Sequence, residues 1–138
     1  MIEKIRRFNI QKSGYISILM GVFAIAVHIL VLLRVLPYAW INGGRSVSYQ
    51  AAFQTSLSSI IIILIGIPIT LIASRIVPIR LNRLWTIILI IWLWIGIPLD
   101  LVGIIQQLLG TMFEKSCMSI ITIIGFMMDF RIALEKRL

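Results

Sequence analysis

The stretch spanning residues 84–109, LWTIILIIWLWIGIPLDLVGIIQQLL, constrains the fold more than any other part of the chain. An apolar helix needs about 20 residues to cross a bilayer, and this run is longer than that. It carries a single charge, Asp100. A central Asp costs roughly 2.5–3.5 kcal/mol on translocon-type scales, while each Ile or Leu returns about 0.3–0.6. The surrounding Ile and Leu residues outweigh that cost, so the helix inserts with its Asp. An ionisable residue at such depth marks a candidate functional position.

Three more apolar runs, at about 15–36, 57–77 and 117–134, have the same character. They raise the hydrophobic content to 60%, against about 45–50% for a soluble domain. The expectation is an all-α integral membrane protein: one domain over residues 1–138, folded as a four-helix bundle. The net charge is +8, and the basic residues sit at the ends of the apolar runs. Anionic lipid headgroups are therefore the expected counter-charge, and nucleic acid is not an expected partner.

Residues 1–14 hold Lys4, Arg6, Arg7 and Lys12 and read as a basic amphipathic leader, with Ile2, Ile5, Phe8 and Ile10 toward lipid. A signal peptide is the competing reading. The following run is too long for an h-region, and Ala24-Ile25-Ala26 lies in its middle, which favours a retained first span. The turn between the second and third spans adds Arg75, Arg80 and Arg83, and the C-terminal segment adds Arg131, Lys136 and Arg137. Arg34, Arg45 and Lys115 fall on the opposite side, so ten basic residues face three. The positive-inside rule then predicts cytoplasmic termini and an outward 37–56 connection, in a bacterial cytoplasmic membrane.

That connection has Tyr38 and Trp40 for an interfacial aromatic belt, a turn signal at Asn42-Gly43-Gly44, and Ser46 or Ser48 to cap a helix through Tyr49, Ala51, Ala52 and Phe53. Asn42-Gly43-Gly44-Arg45 has the makings of an anion cradle, but a solvated turn is the simpler expectation. Pro78 is expected to end the second span. Residues 110–116, with Glu114 and Lys115, read as a short turn, and Asp129 and Arg131 as headgroup-level residues that snorkel.

Helical spacing collects small and polar residues on one face of each span. The faces are Ser17, Gly21, Ala24 and His28; Ser59, Gly66, Thr70 and Ala73; Gly96, Asp100, Gly103 and Gln107; and Ser119, Thr122, Phe126 and Asp129. Small and polar residues hold helices together in lipid, so these faces are expected to form the interior. At 1.5 Å per residue, His28 and Asp100 fall at similar depth on two parallel spans, so they are candidates for a hydrogen bond. Arg34 is the rival partner for Asp100. Two readings of this candidate intramembrane polar site, Asp100, His28, Gln107 and Arg34, stay open: polar glue that fixes helix register, or a proton or ligand site. Ile65-Gly66-Ile67-Pro68 recurs as Ile95-Gly96-Ile97-Pro98, either as a pair of transporter-like interruptions or as two kinks, and the second is favoured.

A single His and a single Cys supply no metal set and no internal disulfide, and no phosphate-binding Gly loop is present. No cofactor or metal is expected. Asn82-Arg83-Leu84-Trp85-Thr86 resembles the Asn-Arg-x-Trp-Thr motif of the GtrA-like four-helix membrane proteins, a family implicated in moving lipid-linked sugars. The resemblance covers five residues and does not extend to the first span. As a whole the chain resembles small four-helix membrane proteins of Gram-positive bacteria, on Trp40-Ile41-Asn42-Gly43-Gly44-Arg45 and Leu109-Gly110-Thr111-Met112-Phe113-Glu114-Lys115. That resemblance implies no activity. The expected role is non-enzymatic: accessory, regulatory or protective, exerted through a membrane-protein partner or a homo-oligomer. The alternative is a small proton- or ion-coupled transporter or channel subunit using Asp100 and His28. A lipid-modifying enzyme with either residue as acid or base is the weakest of the three readings.

Overall fold

The computed structural model describes residues 2–138, so the first residue of the expected leader lies outside the described residues. The elements are α1 (Ile2–Arg6), α2 (Ile10–Leu32), α3 (Tyr49–Ala73), α4 (Arg83–Leu108) and α5 (Ser119–Ala133). A π-helical turn, Glu114–Met118, leads into α5, and two single 3-10 turns, Tyr38–Trp40 and Asn42–Gly44, lie between α2 and α3. Four helices are long and apolar enough to cross a membrane: α2, α3, α4 and the continuous stretch Glu114–Ala133. The chain is thus an all-helical, multi-pass membrane protein.

Capping sets where each span starts. The Asn9 side chain accepts from the Lys12 backbone N–H at 3.0 Å, so α2 begins at Ile10 and not near residue 15. Ser48 accepts from Ala51 N–H, so it is the expected cap, and the helix through Tyr49 and Phe53 runs without a break into the span expected from 57. Asn82 accepts from Trp85 N–H at 3.0 Å, and the Thr86 hydroxyl donates to the Asn82 carbonyl at 2.9 Å. Asn82, Trp85 and Thr86 of the Asn-Arg-x-Trp-Thr stretch therefore serve the start of α4.

The first two spans end alike. Arg34 and Arg75 take the left-handed conformation, at φ 59° and 60°. Val35 and Leu36 N–H turn back to the Leu30 carbonyl, and Ile76 and Val77 N–H to that of Leu71. These reversals satisfy the last carbonyls of each helix. They stop α2 and α3 at residues 32 and 73 where 36 and 77 were expected. Pro68 and Pro98 each lie inside an unbroken helix, so the Gly-x-Pro echo interrupts neither.

In space the long helices follow the order α3, α2, α5, α4: α2 packs on α3 and α5, and α5 also packs on α4. Glycines allow the close approaches. A Cβ on Gly14 would run into the Ser74 side chain, one on Gly21 would meet Ile63 at 3.1 Å, and one on Gly125 would meet Met20 at 3.8 Å. Gly66, Gly96 and Gly103 differ, because a Cβ there would meet nothing within 4 Å. Gly66 on α3 and Gly96 and Gly103 on α4 are therefore not packed into a common interior as expected, although Ala73 of the same α3 face is buried.

Buried residues collect at the two ends. Val31, Ile41, Ala52, Glu114, Met118 and Ser119 mark the end that carries the 37–48 connection, called here the loop end. Ser13, Ala73, Ser74, Arg131, Ile132 and Leu134 mark the end that holds both chain termini, the terminal end. Between them the helix surfaces are largely exposed Ile, Leu, Val and Phe, as suits contact with acyl chains.

Candidate functional site

The polar groups within the spans pair differently from the expected arrangement. The Ser17 hydroxyl on α2 donates to Asp129 Oδ1 on α5 at 2.6 Å. Asp129 is half-buried in this seam, one turn before the end of the last span. Asp100 is also half-buried, on α4, which packs against α5. Aromatic rings fill the adjacent α4–α5 contact: Trp94 meets Phe130 edge-on at 6.4 Å, and Phe126 stacks on Phe130 at 6.0 Å.

His28 is buried, and its Nδ1 lies 3.2 Å from the Ser56 hydroxyl on α3. It does not pair with Asp100, because α5 lies between α2 and α4. Arg34 is no partner for Asp100 either: its guanidinium sits 4.1 Å above the Tyr49 ring, whose hydroxyl donates to the Leu32 carbonyl. Gln107 is half-buried, and its Oε1 has no hydrogen-bond partner. The four expected site residues are thus dispersed, and the polar pair formed between spans is Ser17 with Asp129. Among the described residues the ion pairs are Arg75–Glu135 and Arg131–Glu135, so neither Asp100 nor Asp129 has a basic partner. Two carboxylates on neighbouring helices without a basic partner are suited to passing a proton or holding a cation.

At the loop end, Glu114 is only 5% exposed. It accepts from Thr111 N–H at 2.9 Å, while Glu114 N–H donates back to Thr111 Oγ1 at 3.3 Å. This is a capping box, Thr111-x-x-Glu114, and it explains why the helix starts here. The same carboxylate accepts from Gly43 N–H at 2.9 and 3.0 Å. Asn42, Gly43 and Gly44 all take positive φ (57°, 67° and 68°), which aims that N–H at the carboxylate. The Asn42-Gly43-Gly44 turn is therefore an anion cradle after all, and its anion is the chain's own Glu114. The Thr111 hydroxyl also donates to the Trp40 carbonyl, and the Trp40 and Phe113 rings lie 5.6 Å apart.

At the terminal end the central group is Arg131, also 5% exposed. It donates to the Arg6 and Phe8 carbonyls at 2.8 Å each and to Glu135 at 3.0 Å. It is thus buried and not snorkelling, because it caps the carbonyl end of α1. Of the expected lipid-facing residues, Lys4, Arg7, Lys12, Arg80 and Arg83 are exposed. Arg6 is half-buried and donates to the Leu134 carbonyl at 2.8 Å; Arg75 is exposed but pairs with Glu135 at 3.3 Å. Arg137 donates to the Ile132 carbonyl at 2.7 Å, and burial lowers its guanidinium below the ordinary arginine value.

The residues that the sequence reading passed over are Ser56, Glu114 and Arg137. A signal existed for Glu114, since Thr-x-x-Glu before an apolar run is the capping-box pattern. Comparison with models of known families, with curated proteins and with solved structures gave no match.

Proposed function

We propose that this chain is a non-enzymatic accessory, regulatory or protective protein of a bacterial cytoplasmic membrane, and that it acts by packing against a partner helix in the bilayer. Both termini face the cytoplasm in this reading, since ten of the thirteen basic residues belong to the terminal end. The observation that carries the proposal is the open face of α3 and α4. Gly66, Gly96 and Gly103 would each accept a Cβ without meeting an atom, yet glycine and other small residues in membrane helices are what allow close helix approach.

The test is photo-crosslinking in the native membrane, with the probe at residue 103 and a comparison probe at Leu19, an exposed side chain on α2. Protein adducts from residue 103, with lipid adducts alone from residue 19, support a partner; their mass separates a second copy from another protein. Lipid adducts alone at both positions sink the proposal.

A second reading is favoured by one observation: Asp100 and Asp129 are half-buried carboxylates on two helices that pack together, and neither has a basic partner among the described residues. In it the chain is a proton- or ion-coupled transporter or channel subunit. His28 has no part in this version, because Ser56 engages it. Asp100→Asn separates the two readings. As polar glue, Asn retains hydrogen bonding worth about 0.6 kcal/mol, and complementation of a deletion strain should persist. As a proton carrier, Asp100 has no substitute in Asn, and complementation should vanish while the purified variant remains folded.

A further inference from the structure

A cavity of about 160 Å³ opens at the terminal end, between the end of α3, the start of α4 and the C-terminal tail. Its polar lining is Arg75, Arg137 and Thr86, and Ile79, Leu81 and Leu89 form much of its apolar side. One water needs only about 10–15 Å³ of such space, so the cavity has room for a group of several heavy atoms.

The charges around it do not balance. Glu135 is shared between Arg75 at 3.3 Å and Arg131 at 3.0 Å, and it is the carboxylate whose field reaches Arg137. Two guanidinium groups therefore share a single carboxylate, and Arg137 adds a third positive charge to the cavity lining without an ion pair among the described residues. Arg137 Nε is sealed from solvent and has no hydrogen-bond partner among the described residues. A partly desolvated guanidinium beside other positive charge is costly, and an anion against its cavity side offsets that cost. A guanidinium fork fits the tetrahedral oxygens of phosphate better than it fits a halide.

We propose that this cavity binds a phosphate group, held by Arg137 and Arg75. The group arrives either on an anionic phospholipid, whose acyl chains continue along Ile79 and Leu89, or as free phosphate. This differs from the diffuse attraction that the exposed Lys4, Arg7 and Lys12 exert on an anionic surface, because it is a site with a fixed donor set. It is also independent of the partner reading above, which concerns the open faces of α3 and α4 within the bilayer.

The full-length protein, purified in mild detergent, is titrated with phosphatidylglycerol, phosphatidylcholine or inorganic phosphate. Retained lipid is read by native mass spectrometry, and thermal unfolding is followed alongside. Phosphatidylglycerol should be retained in preference to phosphatidylcholine, whose choline cation meets the arginines unfavourably. Arg137→Gln should weaken that retention about fivefold, the effect of one near-surface basic residue, while Lys12→Gln on the exposed leader leaves it within about twofold. Arg75→Gln changes a side chain that is more than half exposed and should weaken retention similarly, so the site stays testable if Arg137→Gln misfolds. Competition by millimolar inorganic phosphate identifies free phosphate as a source; its failure to compete assigns the site to lipid. Equal retention of the two lipids by the wild type, or retention unchanged in both arginine variants, overturns the proposal.

Discussion

At the loop end a carboxylate, Glu114, gathers donors from two turns; at the terminal end a guanidinium, Arg131, gathers carbonyls from the N-terminal segment. Both side chains are 5% exposed, and both satisfy backbone groups that a helix or turn leaves without partners. The chemistry is complementary because the orphans are: a helix start and a left-handed turn present N–H groups, and the end of α1 presents C=O groups. The ends differ in charge balance. Glu114 is engaged by neutral donors, whereas Arg131 belongs to a cluster in which arginines outnumber carboxylates. The loop end is balanced within the chain, and the terminal end carries an excess of positive charge that suits an anion.

The largest effect that could break this comparison is at Arg131. Arg131→Met leaves the Arg6 and Phe8 carbonyls without a donor and Glu135 without its buried partner. Removing one member of a buried, hydrogen-bonded pair costs about 3–5 kcal/mol. Unfolding in detergent should shift by that amount, and proteolysis within residues 2–9 should accelerate. An unchanged protease pattern in the Arg131→Met variant would mean that α1 is held by other contacts.

Glu114→Ala should cost somewhat less, about 1–3 kcal/mol, because the Gly43 and Thr111 N–H groups lose their acceptor but regain water near the surface. Its signature is local: faster proteolysis at 42–48 with the 2–9 segment unaffected. Gly110→Ala should reproduce the effect, since a Cβ there overlaps the Glu114 carboxylate. If either variant loosened both ends together, the two junctions would be one cooperative unit.

The smallest effects come from paired glycines. Gly14→Ala meets Ser74 and should destabilise by about 1–3 kcal/mol. Gly96→Ala meets nothing and should stabilise the isolated chain by about 0.5–1 kcal/mol through helix propensity. Loss of complementation by Gly96→Ala, with that added stability, would show that the open face is used. Retained complementation would leave the face to lipid.

The four spans were legible because a run of apolar residues longer than the bilayer needs has few other solutions. Their ends were less legible. Arg34 and Arg75 adopt a conformation usually left to Gly or Asn, so nothing in their identity marks a helix stop. The seam faces did place Ser17 and Asp129 toward the interior, and these two meet. The partner of His28 was missed because Ser56 was assigned to the connection before the second span, whereas α3 already includes it. The depth argument that linked His28 to Asp100 was silent on neighbour order. Depth follows from counting along one helix, but order depends on contacts among all four. Arg131 shows the same limit: its acceptors lie more than 120 residues away in sequence, and no local pattern points to them.

That separation has a consequence for how the molecule is made. The carbonyls of Arg6 and Phe8 leave the ribosome long before Arg131 does, so the terminal end cannot close until the last span has been synthesised. The last span is also the least apolar of the four. Its commitment to the bilayer therefore draws on the earlier helices already waiting there, with Glu114 joining it to the outbound connection and Arg131 to the opening segment. A nascent chain halted before residue 131 has its N-terminal segment still unfastened.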